Sequence, residues 1–489
     1  MPFLIQGKTN WKFLLIVIIL AIMVGGGVLW FSMKKEEVSP ELTKIETPAG
    51  EIPEGEVISE KEIKAFAKTY GGDKSEYLSS IQQTPDKGYI VIGTTGSFGA
   101  GDADFLVIKL DSSGNVVWSK TYGGNDIDNL YSVYQTSEGE YVIAGGTYSF
   151  GVGDKDVVVI KLDSSGNIIW SKTYGASNED YARSIQPTSD GGYIVAGETW
   201  PYGSAGLPDI LLIKISPSGD INWSKTYGEV RTEEIASIQQ TADGGYIMGG
   251  TTDSFGARSR DFLIIKLDSS GNITWSKTYG GDDKDEVRSI QQTSDNGYII
   301  TGTTKSFGAG ENDFLIIKLD SSGDVIWSKT YGGSKIDLSK SVYQNSDGGY
   351  IVAGTTESFG AGKRDFLIMK LDSSGNITWS KTFGGNHHDE LESIQLTLDG
   401  GYIVAGETFS FGGGSFDGKS WNFLILKLDI NGNCCSDELV KEVTPTVKNA
   451  NLNVTTRTLS YKPIDFSITT STFTATVPSL NLTTICSGE

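Results

Sequence analysis

The chain has 489 residues and is glycine-rich, with 62; its 40 basic and 61 acidic side chains give a formal net charge of -21. That balance excludes a nucleic-acid binder, because phosphate contacts need a clustered basic surface, and it disfavours adhesion to anionic lipid head groups. What is left is a soluble, self-repelling surface that attracts cations.

Phe13 to Phe31 is an uncharged run of 19 residues with Trp11 and Trp30 at its ends. At about 1.5 Å per residue it crosses most of a bilayer core, and it is too long for a typical signal-peptide apolar region. It is expected to be a single transmembrane signal-anchor helix (13–31), with residues 1–12 as a short cytoplasmic tail and the bulk of the chain extracytoplasmic at the cell surface. Residues 32–61 hold eight glutamates, four lysines and three prolines with few large apolar groups. Such a segment buries too little surface to offset its ordering entropy, so it reads as an acidic disordered linker.

From residue 62 a repeat takes over. Trp118, Trp170, Trp223, Trp275, Trp327 and Trp379 are 52, 53, 52, 52 and 52 residues apart, and a Gly-Tyr-Ile-type marker recurs seven times, from Tyr89 to Tyr402. A fixed period of this length signals a repeat architecture. Each unit reads as four short strands: Ser-Ile-Gln-Gln-Thr, then Tyr-Ile-Val-Ala-Gly, an apolar Asp-Phe-Leu-Ile-Ile-Lys-Leu, and a strand carrying the tryptophan. Asp-Gly-Gly and Asp-Ser-Ser-Gly-Asn turns join them, because Gly and Asn accept the positive φ of tight hairpins. The third strand is apolar on both faces, as a sheet packed between two others requires. Seven four-stranded antiparallel units predict an all-β, seven-bladed β-propeller over 62–433.

The ends complete one another. A fourth-strand pattern opens the domain as Ala65–Gly71, with Phe66 one period before Trp118, while Cys434-Cys435-Ser436 stands where the last tryptophan strand belongs. The N-terminal strand is therefore expected to close the last blade. Residues 434–489 form a Thr/Ser-rich tail with β-like alternation, which either adds a hairpin to the propeller or extends away. The only cysteines are Cys434, Cys435 and Cys486. A disulfide from Cys434 or Cys435 to Cys486 would close a loop of about 50 residues, worth roughly 4 kcal/mol in the chain-entropy account.

The units, with their Asp-Phe-x-x-x-Lys-Leu-Asp-x-x-Gly-Asn-x-x-Trp-x-x-Thr-Tyr-Gly-Gly pattern, resemble the β-propeller repeat proteins of prokaryotic cell surfaces. That resemblance covers 62–433 and implies a binding or scaffolding module. Asp111, Gly114 and Trp118 are similar, more weakly, to the tryptophan-docking repeat of quinoproteins, from which the chain departs in having seven units rather than eight and a shorter Asp-to-Gly spacing.

Comparison among the units separates structure from function. What recurs is expected to hold the blades together, the tryptophans above all. Four residues before each first-strand serine stands an acid: Glu76, Asp128, Asp180, Glu233, Asp285, Asp337 and Asp389. Each either accepts backbone N–H groups in its loop, or the seven ring the channel mouth and hold a cation such as Ca²⁺; no other cofactor is expected. In an up-and-down blade the second-to-third and fourth-to-first loops share one face, which then carries these acids and all the length variation. Arg183, Arg288 and Lys340 precede the inner-strand serine where other units have Ser79, Tyr131, Ala236 and Glu392. Trp200 and Tyr202 lie in the longer third-unit loop, Phe416 and Trp421 in the seventh. Variable loops on a rigid scaffold carry binding, here of a protein or a glycan. The only histidines, His387 and His388, are adjacent, so no zinc site or catalytic triad is assembled and no catalytic residue is assigned. The alternative reading is an enzyme on a propeller scaffold, glycan-cleaving or quinone-dependent.

Overall fold

The computed structural model describes residues 65–200, 207–256, 259–411, 420–436, 439–450, 452–456, 460–463, 467–470, 474–476 and 481–487. The expected membrane helix and acidic linker lie outside them; among the described residues no helix is long and apolar enough to cross a membrane.

Each repeat forms the expected four-stranded antiparallel blade. Blade 1 comprises Glu76–Gln83, Tyr89–Thr95, Asp104–Leu110 and Val116–Gly123. Its third strand is buried at every position. The Asp-Ser-Ser-Gly-Asn turn is built by its aspartate: Asp111 Oδ1 accepts the backbone N–H of Ser113 and of Asn115 at 2.9 and 2.8 Å. Gly114 completes it at φ +75°, a conformation that a Cβ disfavours. Blade 7 takes Asp389–Leu396, Tyr402–Thr408 and Asn422–Leu428 from the end of the repeat region. Its fourth strand is Phe66–Gly71, paired from Phe66↔Lys427 to Tyr70↔Phe423.

The core lies between blades rather than within them. One apolar cluster, for example, joins Ile90, Phe105 and Tyr122 of blade 1 to Leu130, Tyr141 and Ile160 of blade 2. The fourth strand docks on the next blade twice. Trp118 packs edge-on to Tyr141 with ring centroids 6.0 Å apart, and Tyr122 donates its hydroxyl to the Gly166 carbonyl at 2.6 Å. The tyrosine bond recurs at 2.6–2.7 Å from Tyr70, Tyr174, Tyr227, Tyr279 and Tyr331. Phe383 holds the corresponding place in blade 6 and has no hydroxyl to donate.

The C-terminal tail neither forms a hairpin nor leaves the domain. It runs once round the ring and adds a fifth strand to every blade, in the order 6, 5, 4, 3, 2, 1, 7. Val440, Val447, Val454, Tyr461, Ile468, Ala475 and Leu482 pair in turn with Phe383, Tyr331, Tyr279, Tyr227, Tyr174, Tyr122 and Tyr70. The tail therefore has a seven-residue period, one step per blade. Its last strand pairs with the N-terminal strand, and a Cys435–Cys486 disulfide, 51 residues apart in sequence, clasps the belt there. The third cysteine, Cys434, has its Sγ 3.6 Å from that of Cys435. Burial pushes its thiol up to about 11, which keeps it protonated and slow to exchange into the bond.

Cys486→Ser should lower the thermal midpoint by the equivalent of roughly 4 kcal/mol in the chain-entropy account, and reduction of the wild type should reproduce that loss. Cys434→Ser should leave it nearly unchanged. Equal melting of all three proteins in a calorimeter would show that the clasp holds nothing.

Candidate functional site: the axial cavity

The inner strand of every blade carries an irregularity that the repeat pattern hides. Pairing with the second strand skips one residue, between Leu78 and Ser80 in blade 1 and at the matching place in the other six. The skipped residues are Ser79, Tyr131, Arg183, Ala236, Arg288, Lys340 and Glu392, the position that varies most among the units. A bulge re-aims the side chain it inserts, and all seven line a cavity of about 540 Å³ on the propeller axis. The cavity lies toward the face of the longer loops, since Glu198 and Glu407, at the ends of second strands, also line it.

Five acids (Glu198, Glu234, Glu286, Glu392 and Glu407) and three bases (Arg183, Arg288 and Lys340) face this space. Lys340 Nζ reaches across to both oxygens of Glu392 in the next blade, at 2.6 and 2.7 Å. Arg183 lies 3.4 Å from Glu198, donates to the Tyr181 hydroxyl at 3.1 Å, and sits over the rings of Tyr181 and Tyr131 at 4.9 and 5.3 Å. Arg288 pairs with Glu286 at 3.1 Å. Arg260 ties Glu234 to Glu286 across two blades at 2.9 and 3.2 Å. Burial raises the Glu198 carboxyl against the opposing pull of Arg183, and burial together with Glu392 pushes that of Glu407 up to about 8.

The predicted aromatics fall into two groups. Trp200 leans on Tyr181 with centroids 5.7 Å apart, which extends the Tyr131–Arg183 stack outward from the cavity. Lys155, which sequence reasoning passed over, lies among the rings of Tyr181, Tyr148 and Tyr131 at 4.5, 5.3 and 5.9 Å. Trp421 stacks on Phe409 at 3.8 Å in blade 7 and does not line the cavity. Tyr202 and Phe416 lie outside the described residues. Glu198 and Glu407 were also missed, although alignment of the units shows them where Thr94, Thr251, Thr303 and Thr355 stand elsewhere.

None of the seven recurring acids lines the cavity. All are fully buried, and each accepts the backbone N–H of the residue four before it: Glu76 from Gly72 at 3.0 Å, Asp128 from Gly124, Asp285 from Gly281 and Asp389 from Gly385 at 2.8 Å. Asp180, Glu233 and Asp337 do the same with Ala176, Glu229 and Gly333 at 2.8, 2.9 and 2.7 Å. A second buried acid, from the third strand of the preceding blade, approaches them. At the Asp365–Asp389 junction a Cβ on Gly384 would fall 2.0 Å from Asp365 Oδ1 and 2.8 Å from Asp389 Oδ2, so only glycine leaves room for the pair. Burial, with a neighbouring carboxylate, pushes Asp180 and Asp365 up to about 6.

A carboxyl whose folded value is raised stabilises the fold below its unfolded value, near 4, and loses that contribution as pH rises through about 6. The thermal midpoint should therefore climb as pH is lowered from about 7 to about 5. Asp180→Asn and Asp365→Asn should each flatten that climb; a slope identical to wild type in both would rule out protonated acids at the junctions.

No family model matches the chain. It is similar to the regulatory protein FlaEY of Caulobacter vibrioides, 25% identical over 289 residues, which is 55% of this chain and 28% of that protein. The chain thus spans little more than a quarter of that relative's length. Among solved structures it is similar to Sqt1 from Chaetomium thermophilum (TM-score 0.42, 11% identity, 77% of this chain and 87% of that one). It is also similar to a protein of unknown function from Dyadobacter fermentans (0.43, 10%, 74% and 98%) and to the polysaccharide lyase Uly1 (0.43, 10%, 73% and 90%). At these scores none of the three carries an argument about what this chain binds.

Proposed function

We propose that the chain is a recognition module of the cell-surface propeller-repeat kind, tethered to the membrane by its N-terminal segment, with the propeller outside the cell. Its ligand, a protein segment or a glycan, enters the axial cavity from the loop face. The observation that carries this reading is the division of labour within the repeat. Residues that recur hold blade to blade, whereas the inner-strand position that varies most among the units is bulged toward the axis. A scaffold that needed only to stand upright would have no use for six different residue types at seven equivalent places. The apolar run at Phe13–Phe31 and the disulfide support an oxidising, extracytoplasmic setting. No cofactor enters the reading.

Ala236→Trp tests it by filling the cavity from its smallest bulged residue. Immobilised wild type should retain a component of an envelope extract or of a glycan array. The variant, with an unchanged melting temperature, should lose at least about tenfold in affinity for it. Undiminished binding by Ala236→Trp would move the ligand away from the axis.

A further inference from the structure

The seven blades are controls for one another at the residue before the last threonine of the second strand. Threonine stands there in four blades, and Thr94, Thr251 and Thr355 accept the backbone N–H of Leu130, Val287 and Leu391 in the next blade at 3.3, 3.2 and 2.9 Å. Glu407 makes the same bond, accepting the Leu78 N–H through Oε1 at 2.9 Å. A hydroxyl suffices for that task; the carboxylate brings a second oxygen and a charge. Among the described residues Oε2 has no donor and the group no ion pair, although the side chain lines the cavity at only 8% exposure. Every other acid of the cavity has its cation: Glu198 has Arg183, Glu234 and Glu286 share Arg260, and Glu392 has Lys340. Burial without a partner disfavours the charged form of this carboxyl, and a cationic ligand is what would let it ionise in place.

We propose that Glu407 anchors a subsite for a primary ammonium group, carried by a lysine side chain or by a free polyamine. The proposal rests on the reading of the axial cavity as the recognition site. The chemistry favours ammonium over a metal ion. Ca²⁺ takes six to eight oxygens, whereas Glu407 has one oxygen free and both of those on Glu392 are held by Lys340. An ammonium needs three acceptors, and the hydroxyls of Ser79 and Ser393 line the same cavity. The Lys340–Glu392 pair in the adjoining sector is the chain's own example of the complex. The charged groups acting on Glu407 are Glu392 and Glu390 of its own blade and Lys340 of the neighbouring one. With its carboxyl at about 8, Glu407 is mostly protonated at neutral pH, so an ammonium that pairs with it expels the proton.

Titration calorimetry of the full chain near neutral pH, in buffers of different ionisation enthalpy, reads both affinity and proton release. The probes are tetralysine and spermidine, with tetraglutamate as control. At least one cationic probe should bind, releasing up to about one proton per site. Glu407→Thr, which restores the residue of other blades and keeps an acceptor for Leu78, should lose at least about tenfold in affinity together with the proton release. Binding confined to tetralysine assigns a protein ligand, and binding confined to spermidine assigns a polyamine. The proposal is overturned if neither probe binds the wild type, or if Glu407→Thr binds as the wild type does. Should envelope ligands be retained by the wild type and lost by Ala236→Trp while both probes fail, the recognition reading survives and only the ammonium subsite falls.

Discussion

A ring of blades has no free face, so each sheet must satisfy a neighbour on both sides. The contact that meets this demand is the fourth strand of one blade docking on the Asp-Ser-Ser-Gly-Asn turn of the next. Its tryptophan and its tyrosine hydroxyl grip that turn from one side, and the turn's own aspartate holds it in shape from the other. The aromatic half of this contact is altered at two places, both next to blade 7. Phe66 replaces the tryptophan in the strand that closes blade 7, and Phe383 replaces the tyrosine that faces blade 7 from blade 6. The disulfide lies at the same blade, beside Phe66, whose backbone carbonyl Cys434 approaches at 3.8 Å. Covalent closure is thus placed at the blade whose aromatic contacts depart from the repeat.

The blade count, the strand order within a blade and the borrowed N-terminal strand were legible because each leaves a mark on one strand alone: a period, a turn, an apolar run. The bulge was not, because a skipped residue is a relation between two strands and changes neither sequence pattern by itself. Its position was nonetheless singled out, as the variable residue before the serine. The belt escaped for a related reason. The alternation of the tail registered as β-like, but strands mostly of three or four residues do not say what they pair with, and the seven-residue step from Val440 to Leu482 acquires meaning only against seven waiting edges.

The recurring acids were legible in one of their two readings, the local cap on backbone N–H groups. Their regularity drew notice, yet regularity in a repeat protein marks what every blade needs. Each ties the loop before the inner strand to that strand's first residue, and buries its charge in doing so. Departure from the repeat is the better guide to the cavity, since Glu198 and Glu407 break a threonine pattern that four other blades keep.

The belt also orders events in time. No blade edge exists for it until the corresponding fourth strand is in place, and its final strand needs the N-terminal segment, the first part of the domain to be made, already paired in blade 7. Long-range pairing of this kind is slow, because the ends must find each other after everything between them has settled. In the finished ring the Cys435–Cys486 bond joins the last strand of the belt to the blade closed by the first strand of the domain, so one covalent link spans both ends of the circuit.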